Sequence, residues 1–162
     1  MRRLGTSLVA LAVLAGASPA RAGTEAAPAG KVGTVVSLTF DDGDATHVAA
    51  ARLLERRGMR GTFYVNSATV GRKGKLTRKQ VVALARAGHE VGGHTLTHVR
   101  LDELTRDEQR GQICDDRERL LAWGLRPVTL AYPFGAVDAQ AKKVARSCGY
   151  DAARTVGGLK QW

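Results

Sequence analysis

Apolar residues in this chain recur with two different periods, and the two kinds of segment alternate. The run Thr34-Val35-Val36-Ser37-Leu38-Thr39-Phe40 is rich in β-branched residues and predicts a first strand. A helix follows, with Ala50, Leu53 and Leu54 on one face, and Gly61-Thr62-Phe63-Tyr64-Val65 predicts a second strand. Thr77 is the expected N-cap of a second helix that turns Val81, Leu84 and Ala85 inward. His89 to Gly92 is a weaker third strand, and Thr105-Arg106-Asp107-Glu108 forms a capping box for a helix reaching Trp123. Val128 to Tyr132 is the fourth strand, and a helix from Asp138 to Cys148 leads into a last strand, Tyr150 to Ala153. Alternation of this kind predicts an α/β fold with a parallel sheet, open or partly closed as a barrel.

The first 33 residues stand outside that pattern. Arg2 and Arg3 precede the apolar run Leu8 to Ala15, and Ala20-Arg21-Ala22 offers small residues at a cleavage point, so residues 1–22 read as a secretory signal peptide. The apolar run is far shorter than the roughly 20 residues a spanning helix needs, so no stable membrane span is expected after cleavage. Residues 23–33 form an Ala/Pro/Gly linker, leaving one domain over 34–162, in keeping with a length of 162 residues.

Cleavage removes Arg2, Arg3 and Arg21 and no acid, which lowers the formal charge from +10 to +7. The remaining cations are scattered over helix faces with no interleaved aromatics, which argues against a nucleic-acid partner. Export permits a disulfide between Cys114 and Cys148; the competing reading is two buried thiols, since Cys148 shares an apolar stripe with Ala141, Val144 and Ala145.

The polar residues that carry chemistry fall at C-terminal strand ends, the ligand-binding face of parallel α/β folds. Asp41-Asp42-Gly43 ends the first strand, and its adjacent carboxylates repel unless a cation relieves them, although Asp-Gly also suits a plain turn. His94 and His98 follow the third strand. Extended chain would hold them roughly 13 Å apart, whereas one helical turn brings them within reach of one zinc ion. Taken with the aspartates, the pair predicts a metal site. Tyr132-Pro133-Phe134-Gly135 ends the fourth strand and supplies an aromatic wall on a rigid turn.

Thr39-Phe40-Asp41-Asp42-Gly43, His94-Thr95-Leu96-Thr97-His98 and Tyr132-Pro133-Phe134-Gly135 together resemble the first three motifs of the polysaccharide deacetylases, the NodB-homology group or carbohydrate esterase family 4. The resemblance implies a distorted (β/α) barrel of the NodB type, here with its last strands missing. It implies metal-dependent removal of acetyl groups from N-acetylglucosamine polymers such as chitin oligomers, peptidoglycan or poly-N-acetylglucosamine, or from acetylated xylan. Carried over by position, Asp42, His94 and His98 would be the metal ligands, usually for zinc, with cobalt, nickel or manganese also suited to such a donor set. Asp41 would be the general base, the backbone N–H of Tyr132 an oxyanion donor, and Pro133 and Phe134 substrate contacts.

Two departures from the family pattern accompany the match. Ala131 stands where many members place an arginine that pairs with the base, and the chain reaches Trp162 before the later motifs that carry an Asp loop and a Leu-x-His general acid. His47 and His89 are poor replacements, on a first helical turn and at a strand start. The expected product is therefore a secreted carbohydrate deacetylase, extracellular or periplasmic, with a metal- or glycan-binding remnant of the family as the alternative. Substrate choice is expected to lie in loops such as Asn66 to Lys75.

Overall fold

A computed structural model describes residues 35–157; the expected signal peptide, the whole linker and Thr34 at the start of the expected first strand lie outside the described residues. Five strands form one sheet in the order β1-β2-β3-β4-β5, every pairing parallel. They are β1 Thr39–Phe40, β2 Thr62–Val65, β3 Glu90–Gly93, β4 Thr129–Ala131 and β5 Ala152–Arg154. The crossovers carry α1 His47–Glu55, α2 Arg78–Arg86, α3 Arg106–Arg110, α4 Asp116–Ala122 and α5 Ala139–Ser147. Sequence order equals spatial order, so the chain winds in one direction and the sheet is an arc of a (β/α) barrel, not a doubly wound sheet.

The capping signals act as expected. Thr77 and Thr105 each accept the N–H of the residue three positions on, and Gln80 and Glu108 reciprocate. Asp138 caps α5 by accepting from Ala141 N–H at 2.7 Å. Apolar residues pack in two clusters: Phe63, Val65, Leu76, Val81 and Val91 are buried in one, and Leu101, Ile113, Leu130, Tyr132 and Val144 in the other. Phe63, Tyr64 and Val65 are all buried in succession, as expected of a parallel strand covered on both faces.

Several boundaries differ from those expected. The first strand keeps only Thr39 and Phe40, and Val35 and Val36 stand exposed ahead of it. In α1 the inward stripe is His47, Ala51 and Leu54, at spacings of four and three, while Leu53 is 46% exposed. The helix expected to run unbroken to Trp123 is interrupted by a π turn, Gly111–Asp115, between α3 and α4. The last strand starts two residues late and continues to Arg154.

Cys114, inside the π turn, is disulfide-bonded to Cys148 at the C-terminal cap of α5, 34 residues away. Among the described residues no helix is long and apolar enough to cross a membrane. Replacing both cysteines with alanine is expected to lower the free energy of unfolding by about 2–4 kcal/mol, the range for constraining a loop of this length. The measurement is a urea midpoint under oxidising conditions, and an unchanged midpoint would show that the bond contributes nothing.

Candidate metal centre and active site

The five parallel strands point their C-terminal ends at one rim, and three loops there carry the candidate chemistry. The loop after β1 holds Asp41 and Asp42. Asp42 adopts a left-handed conformation with φ 72°, which redirects the chain sharply after the strand. That loop is clamped from the side by residues 72–76: Lys75 Nζ donates to the Asp42 carbonyl at 3.0 Å and to Asp44 Oδ1 at 2.7 Å, and Leu76 N–H donates to the Gly43 carbonyl at 2.8 Å.

His94 follows β3 directly and is buried, while His98 is partly exposed. Their rings meet edge to face with centroids 4.9 Å apart. The convergence does not come from the helical turn expected. Thr95 and His98 both take positive φ, 65° and 61°, and fold the five residues into an irregular loop. Asn66, buried at the end of β2, donates its side-chain amide to the His94 carbonyl and to the Thr95 carbonyl, the latter at 3.3 Å.

His94 Nδ1 lies 2.7 Å from the Ala131 carbonyl at the end of β4. A carbonyl can only accept, so Nδ1 carries the proton and Nε2 presents a lone pair to the rim. Burial lowers the His94 pKa, with the bond to Ala131 a smaller opposing effect, so the ring is neutral near pH 7. Asp42 Oδ1 sits 3.4 Å from His94 Nε2 and 3.1 Å from His98 Nε2, and it is buried with no hydrogen-bond partner. One atom from each of Asp42, His94 and His98 lies within 4.8 Å of the others. Three ligand atoms so close together, one of them the His94 Nε2 lone pair, fit a divalent cation, and two imidazoles with one carboxylate suit zinc or a neighbouring transition metal.

Asp41 turns away from that cluster and pairs through Oδ1 with the guanidinium of Arg154. Arg154 comes from β5, in register with Ala131, and its guanidinium lies over the Tyr64 ring at 4.9 Å from the centroid. The sequence reading missed this residue. It left Asp41 without an arginine because position 131 holds alanine, yet the rule that chemistry gathers at C-terminal strand ends applies equally to the last residue of β5.

Two further expectations need correction. The Tyr132 N–H donates to the Arg154 carbonyl at 3.0 Å, continuing the ladder between β4 and β5, so it is engaged in the sheet and not free for an oxyanion. Its phenol is buried among core residues, and burial pushes its pKa up to about 12. Pro133 is buried as well, and the exposed wall is Phe134 alone, 57% exposed and edge to face with His98 at 4.6 Å. His89 lies at the opposite end of the sheet, where Nδ1 accepts from Gly61 N–H at 3.2 Å and Nε2 donates to Glu55. His47 is buried beside the Phe40 and Phe63 rings.

Comparison with known proteins agrees with this layout. The polysaccharide deacetylase family model matches residues 30–153. The peptidoglycan-N-acetylglucosamine deacetylase PgdA of Listeria monocytogenes is 30% identical over 125 residues, covering 75% of this chain and 25% of that protein. A peptidoglycan-N-acetylglucosamine deacetylase of Bacillus cereus is 29% identical over 118 residues, covering 72% of this chain and 54% of that protein. The structure of IcaB from Ammonifex degensii superposes with a TM-score of 0.72 at 26% identity, covering 76% of this chain and 60% of the other. The chain thus spans from a quarter to about half the length of these curated relatives.

His98→Ala should leave the fold intact, because this ring is partly exposed, and should weaken Zn²⁺ or Co²⁺ binding by more than the roughly 10–100-fold that loss of an outer-shell partner costs. Titration against a competing chelator measures this, and unchanged affinity would remove His98 from the ligand set.

Proposed function

This chain belongs to the polysaccharide deacetylase family, and from that premise we propose that it is a secreted, metal-dependent deacetylase acting on N-acetylglucosamine-containing polymers. The observation that carries the reading is the division of labour between neighbouring aspartates. Asp42 joins His94 and His98 around one point, while Asp41 is held outside the cluster by Arg154. Peptidoglycan is favoured among substrates because the relatives named above are peptidoglycan-N-acetylglucosamine deacetylases. Secretion is supported by the N-terminal pattern and by a disulfide, a bond that persists in oxidising compartments.

A divalent cation at Asp42, His94 and His98 would supply Lewis acidity, polarising an acetyl carbonyl and acidifying a water. The residues of the chain do the rest. Asp41 accepts the proton of the attacking water as its oxygen bonds to the acetyl carbon, and Arg154 fixes the carboxylate in that orientation. Phe134 offers an exposed ring face against which the apolar face of a sugar can lie. The carbon–nitrogen bond then breaks, acetate departs and the amine takes up a proton.

A second reading is metal or glycan binding without turnover. It is favoured by the burial of His47 and His89: His89 lies at the end of the sheet opposite the rim and His47 is packed against the Phe40 and Phe63 rings, so neither is exposed to protonate the leaving amine.

Acetate release from N-acetylglucosamine oligomers and from peptidoglycan decides between them. Release is expected from the metal-loaded chain and should be abolished by Asp41→Asn with metal still bound; a folded, metal-loaded sample that releases none would establish the second reading. Arg154→Ala should lower the turnover rate by about 100-fold, the effect of a misplaced catalytic group, while metal affinity stays near the wild-type value. Equal turnover in this variant would show that the pairing does not position the base.

A further inference from the structure

The interrupted helix between Arg106 and Ala122 faces the metal-binding loop, and its interruption is where the two meet. In the π turn Gly111–Asp115 the Gln112 carbonyl accepts the Leu96 N–H at 3.0 Å. The Gln112 side chain accepts the Thr97 N–H at 3.1 Å and donates to Thr97 Oγ1 at 3.0 Å. Immediately after the turn, Asp116 is wholly buried, with Oδ1 accepting Ser67 N–H at 2.9 Å and Oδ2 accepting His94 N–H at 3.2 Å. Three backbone donors of the loop, from His94, Leu96 and Thr97, are thus received by one short stretch of helix, the His94 N–H being shared with the Val65 carbonyl at 3.1 Å.

Three features show that this contact is built for the loop. Thr95 and His98 hold left-handed conformations, and such strain persists only where the surroundings over-determine it. Gly93 clears the way for the carboxylate, since a Cβ there would strike Asp116 Oδ2 and the Tyr150 hydroxyl. The disulfide from Cys114 to Cys148 ties the π turn to α5, so the support is itself anchored. Single π turns inside helices recur at functional sites.

We infer that Asp116 and Gln112 are positioning residues that set the separation and direction of His94 and His98, and hence the geometry of the metal centre. The inference rests on the metal-site reading above. Asp116 acts through backbone and not through a ring nitrogen. Asparagine at this position keeps one acceptor and sets an NH₂ group against the other N–H, so one of the two bonds is lost.

The test uses the full chain loaded with Co²⁺, whose visible absorption reports ligand geometry. Asp116→Asn should weaken Co²⁺ binding about 10–100-fold and alter the absorption bands, beyond the lower melting midpoint of the metal-free chain that the lost buried bond brings. Gln112→Ala, at a less buried position, should shift both readouts in the same direction by less. Wild-type affinity and spectrum in folded Asp116→Asn would overturn the inference, as would a loss of metal-free stability with an unchanged spectrum. Should Asp116→Asn fail to fold, Gln112→Ala decides alone: a shifted affinity and spectrum supports the inference, and wild-type behaviour overturns it. A wild-type chain that takes up no Co²⁺ would overturn the metal-site reading itself, and this inference with it.

Discussion

Asp41 follows the first strand and Arg154 ends the last, yet their side chains form an ion pair. In a flat sheet the outer two of five strands stand roughly 19 Å apart at about 4.8 Å per strand, beyond the reach of any side chain. The pair can close only because the sheet curls until the C-terminal ends of β1 and β5 face each other across the rim. Everything at the site depends on that curvature. It brings the loop after β1 opposite the loops after β3 and β4, so that Asp42, His94 and the Ala131 carbonyl, which belong to three different strand ends, can share one small volume.

Bringing those groups together is unfavourable by itself. The Asp42 carboxylate oxygen faces the lone pair of the buried His94 Nε2, and the backbone that aims the three ligands passes through left-handed conformations at Asp42, Thr95 and His98. The surrounding structure holds each loop by hydrogen bonds to its main chain: Lys75 to Asp42, Asn66 to His94 and Thr95, Asp116 and Gln112 to the histidine loop. Asp116 shows the strength of this requirement. Burial pushes its carboxyl up to about 6, and the N–H bonds from Ser67 and His94 offset only part of that effect. A site preorganised in this way meets a cation without rearrangement, which is the condition for binding it tightly and in one geometry.

The sequence carried the parts of this arrangement that are local. Apolar periodicity located all five strands, the polar signals located the Thr77 N-cap and the Thr105–Glu108 capping box, and Asp41, Asp42, His94, His98 and Phe134 were placed at strand ends. Features that arise from register between distant segments were not legible. Arg154 became visible only once β5 lay beside β4 with Arg154 opposite Ala131. The same pairing takes the Tyr132 N–H for the ladder, so the main-chain donor expected for an oxyanion is engaged. The π turn escaped notice because the buried residues on either side, Gln109, Ile113, Asp116 and Leu120, keep spacings of three and four that an unbroken helix also satisfies. Cys114 and Cys148 were equally consistent with buried thiols until α5 packed beside the turn.

The two adjacent aspartates show how register turns one motif into two roles. Consecutive residues of a continuing strand point to opposite faces, which would send one carboxylate into the core. The strand stops at Phe40, and the left-handed turn at Asp42 keeps both carboxylates at the rim, aimed at different partners. Each is then matched by its own positive charge, because adjacent carboxylates repel one another. Arg154 supplies a fixed one to Asp41, through a guanidinium that stays protonated and is steadied by the Tyr64 ring. The donor set of Asp42, His94 and His98 leaves the other to an exchangeable ion. Because the fixed charge is delivered by a side chain and not by a particular strand, it can come from β5 when β4 carries alanine: Ala131 and Arg154 are cross-strand neighbours, and an arginine is long enough to make the same approach from either.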